Sequence, residues 1–352
     1  MKYSRIVITA ALFVVAACII ARGGTRTRHK PNRPAVIGYF MSITSSKSEY
    51  PSARRAAKVL THLCPTRVAI ADTEGNVKFG KDNYIIALCK QNGIALLPLA
   101  VNGEFSKEIG HAILSDPGKC TKVIAQLLDI THKWRAPGIN IDLEDIDYTD
   151  RQNLNAFMQE LSDKFHAEGL AVTIDVAAKT RDAPEASWAG CYDYEFLGKV
   201  CDMVMLMCYD EHWSGGHAGP IGSKPWVRKV LEYAVSVIPR EKVVLGVPFY
   251  GREWAEGGRS RSVSSTRGQK LLADTKAKLQ WDNIAKCHWF EYTGDDGVKR
   301  TVYFESEESM KHRIALAQEF KLAGISIWCL GNEVPDFWTL LAKYRAGKKV
   351  LK

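Results

Sequence analysis

The stretch GINIDLEDID, residues 138–147, decides how the rest of the chain is read. Ile139, Ile141 and Leu143 alternate with Asn140, Asp142 and Glu144. Successive side chains of a strand point to opposite faces, so the apolar residues share one face and the polar residues the other. Neighbouring carboxyls repel one another and are costly to remove from water. Such a ladder suits acid–base chemistry, a hard cation, or an inward network of salt bridges and amides that fills a core. A buried Asp beside a Glu disfavours double ionisation, so one of them is expected to keep a proton near neutral pH, as a general acid must. A strand lacks the glycine-turned loop of a calcium site, and no HExxH or His/Cys cluster supports zinc, so no metal and no cofactor is expected.

Further strand-like runs flank this one: VIGYF (36–40), RVAIA (67–71), IALLPLA (94–100), LAVTIDV (170–176), DMVMLMCY (202–209), KVVLGVPF (242–249) and GISIWCL (324–330). Amphipathic segments alternate with them, among them SARRAAKVLTHL, CTKVIAQLLDITHKW, RQNLNAFMQELSDKFHAEG and ESMKHRIALAQEFKLAG, the last two ending at Gly169 and Gly324 in the usual helix-stop position. Eight near-continuously apolar β segments with intervening helices predict a (β/α)8 TIM barrel, with a small α+β insertion at about 251–305 between the seventh and eighth strands. The expected division is an apolar leader at 1–20, a basic linker at 21–34 and a barrel over 35–347. Barrel sites lie at the C-terminal strand ends, which is where Glu144, Tyr209, Asp210, Tyr250 and Trp328 fall. Asp145 and Asp147 then read as loop residues beyond the fourth strand.

GINIDLE resembles the fourth-strand signature DGxDxDxE of glycoside hydrolase family 18, the chitinase-type family. VMLMCYDEHWSGGHAGPIG, VVLGVPFYGREW and AGISIWCLG resemble its sixth, seventh and eighth strands, so the likeness runs over roughly 35–345 in order. The forms NIDxE and YDEHW resemble in particular the subgroup of spore-cortex-lytic N-acetylglucosaminidases. The resemblance implies a retaining hydrolase that uses the substrate's own acetamide as nucleophile. Glu144 would be the proton donor, Asp142 the acetamide partner, Tyr209 a donor to the acetamide carbonyl and Trp328 the floor beneath the sugar. Asp210, Tyr250, Arg252, Tyr39 and Trp213 are candidate substrate contacts, with Trp254 on a mouth loop and Asn102 a weaker candidate; Trp134, Trp226 and Trp338 sit in helix-like segments and read as core. Three positions depart from the signature: Pro137 at the first Asp, Asn140 at the second, and Leu143 at the aromatic position. Asn140 cannot share a proton with Asp142, and these departures support a rival reading, a catalytically silent sugar-binding barrel. A wall-anchored scaffold that uses only its basic face is a third.

The 352 residues carry a net charge of +9, which suits a polyanionic partner. No finger, RNP motif or basic recognition helix stands out, so nucleic acid is not expected, and the absence of a GxSxG elbow, Walker loop or GxGxxG leaves serine-hydrolase and nucleotide readings without support. The expected partner is a polysaccharide containing N-acetylglucosamine, peptidoglycan or chitin-like, handled by a monomer. Lys2 and Arg5 precede the apolar run 6–20, in which Val15-Ala16-Ala17-Cys18 resembles a lipobox. Export to the envelope is expected, with membrane attachment through Cys18, although the basic residues from Arg22 to Arg33 oppose translocation. No CxxC pair marks a disulfide framework, and Cys208 and Cys329 read as buried thiols.

Overall fold

The computed structural model describes residues 33–41, 49–258 and 260–351. The leader, Cys18 and most of the linker lie outside the described residues. Among the described residues no helix is long and apolar enough to cross a membrane.

Parallel strands close into a barrel. In chain order they are Ala35–Phe40, His62–Pro65 with Val68–Ile70, Ala95–Leu96 with Leu99–Asn102, Gly138–Asp142, Ala171–Ala177, Met203–Met207, Val243–Pro248 and Gly324–Trp328. Each pairs with the next, and the eighth returns to the first with Gly324 opposite Ala35. The second and third strands are each interrupted: His62 pairs with Ala95 before the breaks, Val68 with Ala100 after them. Pro65 and Pro98 stand at the two breaks, where a residue without an N–H cannot continue a ladder.

Two elements differ from the sequence reading. The segment expected as one helix over SARRAAKVLTHL divides into the helix Glu49–Ala56 and the strand His62–Pro65, because His62 and Leu63 pair with Ile37 and Gly38 of the first strand. Gly324 opens the eighth strand rather than ending a helix: a Cβ there would lie 2.4 Å from the Ala35 carbonyl oxygen, so only glycine allows the two strands to meet. Gly169 does end its helix in the left-handed conformation, with φ 74°.

The fourth strand divides as its alternation requires. Ile139, Ile141 and Leu143 join the large apolar layer between sheet and helices. Asn140 and Asp142 point inward, where Ile37, Tyr39, Cys64, Leu99, Met205 and Val244 fill the barrel. The helix Pro117–Trp134 packs outside it, opened by Asp116, whose carboxylate accepts from the Gly118 and Lys119 amides, and closed by Arg135 at φ 53°. All eight described cysteines are buried and free, so no described cysteine forms a disulfide.

The insertion begins at Tyr250. It is a five-stranded antiparallel sheet in the spatial order Ser260–Ser264, Tyr250–Ala255, Lys299–Phe304, Cys287–Thr293, Gln280–Asp282, with the helix Ser265–Thr275 against it. Val263, Leu271, Phe290, Val302 and Phe304 form its own small core. Its first strand leaves the seventh barrel strand directly, which carries Arg252 to the barrel mouth.

Candidate active site

A cavity of about 760 Å³ opens at the C-terminal ends of the strands, its walls including Asp142, Glu144, Asp175, Tyr209, Asp210 and Trp328. Apolar enclosures of this size with a few convergent polar groups are typical small-ligand sites. Tyr39, Trp213 and Arg252 also line it.

Glu144 follows the last paired residue of the fourth strand and is half-buried at the mouth. Its backbone is pinned: the Asn102 side chain donates to the Glu144 carbonyl at 2.8 Å and accepts from the Glu144 amide at 3.0 Å. Asn102, buried at the end of the third strand, is therefore a support for Glu144 rather than a wall of the cavity. Asp145 takes φ 53°, which turns the chain away immediately after the acid. Tyr192 adds a second clamp, donating to the Leu143 carbonyl at 2.7 Å. Burial, reinforced by the charges of Asp210 and Asp145, pushes the Glu144 carboxyl up to about 7. A carboxyl so placed is half-protonated at neutral pH and can both give and take a proton.

Asp142 lies deeper, 2% exposed, with its Oδ1 buried and without a hydrogen-bond partner. Burial and the neighbouring Asp175 and Glu144 carboxyls hold it well above the usual carboxylate range. Asn140, fully buried below it, donates through Nδ2 to Asp175 Oδ2 at 2.5 Å and accepts from Thr173 Oγ1 at 2.5 Å. Tyr39 donates to the other oxygen of Asp175.

Asp175 is the residue that the sequence reading missed. It sits in the fifth strand, 3% exposed, two positions after Thr173, and both point inward beside Asn140. The signal was present as an acid inside LAVTIDV, between Ile174 and Val176.

The sixth and eighth strands supply the opposite wall. Tyr209 is half-buried beyond Met207, and Trp328 packs on Tyr39 with ring centroids 5.3 Å apart. Asp210, at φ 57°, is exposed and accepts from Arg252 Nη2 at 2.8 Å. Glu211 turns aside: it accepts from the Ser223 amide at 2.5 Å and hydroxyl at 3.0 Å, holding the start of the helix Lys224–Val237.

The aromatics sort differently from the sequence reading. Tyr250 does not line the cavity; it is 6% exposed and meets the Tyr209 ring edge-on at 6.3 Å, supporting it from behind. Trp254 is buried against Tyr303 of the insertion and does not reach the mouth. Trp226, expected in the core, lines the cavity because its helix starts at the rim. Trp213 and Trp188 do border the cavity, 60% and 55% exposed, and offer apolar faces to solvent. Trp134 and Trp338 are buried.

Two of the three departures from the family signature lie away from this chemistry. Pro137 is exposed before the strand begins, at the end opposite the cavity, and the Leu143 side chain faces the outer core. Asn140 alone touches the carboxyl network. Among the described residues no group of three or more His, Cys, Asp or Glu is arranged to hold a metal ion.

Comparison with known proteins shows the family and the fold. The model of glycosyl hydrolases family 18 matches residues 35–333. The cortical fragment-lytic enzyme of Bacillus subtilis is 29% identical over 316 residues, 87% of this chain and 73% of the relative. Among solved structures, the spore cortex-lytic enzyme SleL of Bacillus megaterium superposes with a TM-score of 0.81 at 28% identity, covering 88% of this chain and 74% of that one. A chitinase from Chromobacterium violaceum gives a TM-score of 0.81 at 26% identity, covering 90% of this chain and 99% of that one.

Proposed function

The chain belongs to glycosyl hydrolases family 18, and within that family of glycoside hydrolases we propose that it cleaves β-1,4 bonds after N-acetylglucosamine in peptidoglycan. The observation that carries the reaction is the pairing of Glu144 at the mouth with the deeper Asp142, whose Oδ1 has no partner. Glu144 protonates the leaving glycosidic oxygen as the C1–O bond breaks. The substrate's acetamide oxygen bonds to C1 from the other face, giving an oxazolinium ion. Asp142, whose buried Oδ1 has no partner within the protein, accepts the acetamide N–H and offsets the positive charge that develops there. Tyr209 donates to the acetamide oxygen and keeps it within attack distance, and Trp328 supports the sugar ring. Water then attacks C1 as the bond from C1 to the acetamide oxygen breaks, restoring the N-acetyl group, while Glu144 takes a proton from the water.

Peptidoglycan is favoured over chitin by the relatives named for cortex lysis and by the net charge of +9, which suits an anionic polymer. That substrate lies outside the cytoplasmic membrane, in keeping with the apolar leader and the attachment proposed at Cys18. Asp210, Arg252 and Trp213 stand where sugars beyond the cleaved bond would lie.

Digestion of purified peptidoglycan, followed by reduction and mass analysis of the fragments, tests the reading. Reducing ends on N-acetylglucosamine are the expected result. Ends on N-acetylmuramic acid would overturn the bond assignment, and cleavage of chitin oligomers alone would overturn the substrate.

A further inference from the structure

We infer that Asp175 is the inner carboxylate of this site, a positioning residue that acts on the substrate only through Asp142 and supplies from the fifth strand the buried negative charge that Asn140 cannot. This inference deepens the reading above and rests on it.

The geometry assigns the charge. Asp175 accepts at both oxygens, from the Tyr39 hydroxyl on Oδ1 and from Asn140 Nδ2 on Oδ2. The oxygen of Asn140 accepts from Thr173, which leaves its Nδ2 to donate to Asp175. A buried carboxyl that accepts twice gives up its proton before one that has no donors. Asp142 has no such donors on its buried Oδ1. Two buried carboxyls beside each other do not both ionise readily, so the first negative charge settles on Asp175 and Asp142 keeps its proton longer.

The other groups facing Asp175 agree with one anion at its centre. Tyr39 and Cys64, from the first two strands, are pushed up by burial and by Asp175. Tyr209 from the sixth strand and Tyr192 from the loop after the fifth are pushed up by burial, with Asp175, Asp142 and Glu144 adding to it. No described cation is hydrogen-bonded or ion-paired with Asp175, and burial pushes its carboxyl up while the two donors pull it back. At low pH the site therefore carries one buried negative charge, held by Asp175, and Asp142 ionises only as the pH rises. Substrate supplies the compensating positive charge only as the acetamide closes on C1.

Exchanging the two residues tests this without dismantling the network. In the double variant Asn140→Asp/Asp175→Asn, the carboxylate now on the fourth strand accepts from Thr173 and from the amide now on the fifth. The oxygen of that amide still accepts from Tyr39. Every bond has a partner and the charge moves by one strand. Asp175→Asn alone removes the inner charge, and Asn140 can turn its amide toward Thr173, whose hydroxyl has the Ile139 carbonyl in reach at 3.2 Å.

The acid limb of kcat/KM is expected to move down by about one unit or more in Asp175→Asn, as Asp142 loses its anionic neighbour, and to return in the double exchange. kcat at the optimum should fall about tenfold in Asp175→Asn, with KM within about threefold of wild type, since the lost charge acts at the transition state. An unmoved acid limb, or a double exchange no better than the single one, would overturn the inference. Infrared titration of the protonated-carboxyl band gives the same answer without turnover. Asp175→Asn should lose that band at lower pH, and an unchanged titration overturns the role of Asp175. Absence of hydrolysis by wild-type protein would instead count against the glycosidase reading, leaving the titration to decide on Asp175.

Discussion

Glu144→Gln is expected to lower peptidoglycan cleavage by about 10³-fold, the range lost when a positioned acid–base group is removed. The substitution keeps the shape of the side chain, and the Asn102 clamp acts on backbone atoms, so the fold is retained. Only the transferable proton disappears. The loss should depend on the leaving group. With aryl glycosides of N-acetylglucosamine oligomers, a dinitrophenolate leaves without protonation, so a rapid first release of dye should survive in the variant. Equal losses for sugar and dinitrophenyl leaving groups would remove Glu144 from the role of acid.

Its pH behaviour follows from the environment. With the carboxyl raised from 4.5 to about 7, the working, protonated form is present below neutrality, and kcat/KM falls as pH rises through about 7. Glu144→Gln should lose that limb. The same shift makes the site a cost to stability. The folded state binds this proton more tightly than the unfolded chain, so stability is fully present below 4.5 and declines as pH rises through about 7. The variant escapes the decline, and its Tm should exceed that of wild type at pH 8 while matching it at pH 4.

Asp142→Asn has the second-largest expected effect, about 10²-fold in kcat with a smaller change in KM. Its Oδ1 is buried and unpartnered and its side chain borders the cavity, so a charge there is little screened from the closing acetamide. Asn fills the same volume without the charge. A matched control is Asp147→Asn, since Asp147 lies on the exposed loop beyond the strand, paired with Lys107 at 3.2 Å, and should leave activity within about twofold. Comparable losses in the two variants would show that acidity near the mouth matters only in general, and would sink the specific role of Asp142.

The barrel was legible because its strands alternate or run apolar with a period that no helix shares. The interruptions of the second and third strands were not, since Pro65 and Pro98 act through pairings with distant segments. Asn140 and Asp142 could be placed on one face from spacing alone. Their partner could not: Asp175 is 35 residues from Asn140, and only barrel closure sets the two side chains against each other. For the same reason Asn140 read as a deficit, when its amide in fact holds the carboxylate of the next strand. Tyr250 and Trp254 were misplaced because the insertion folds over them, and no local pattern reports which side a covering sheet will take. Trp226 erred in the opposite direction, a ring on an amphipathic helix whose first turn happens to face the cavity.

Participation of the substrate's own acetamide is tested most directly by a series of aryl glycosides carrying N-acetyl, N-fluoroacetyl, N-difluoroacetyl and N-trifluoroacetyl groups. Each fluorine withdraws electron density from the attacking oxygen and leaves the rest of the sugar nearly unchanged. Wild-type kcat/KM should fall steeply and monotonically along the series. A flat series would mean that a side chain or water, and not the acetamide, attacks C1.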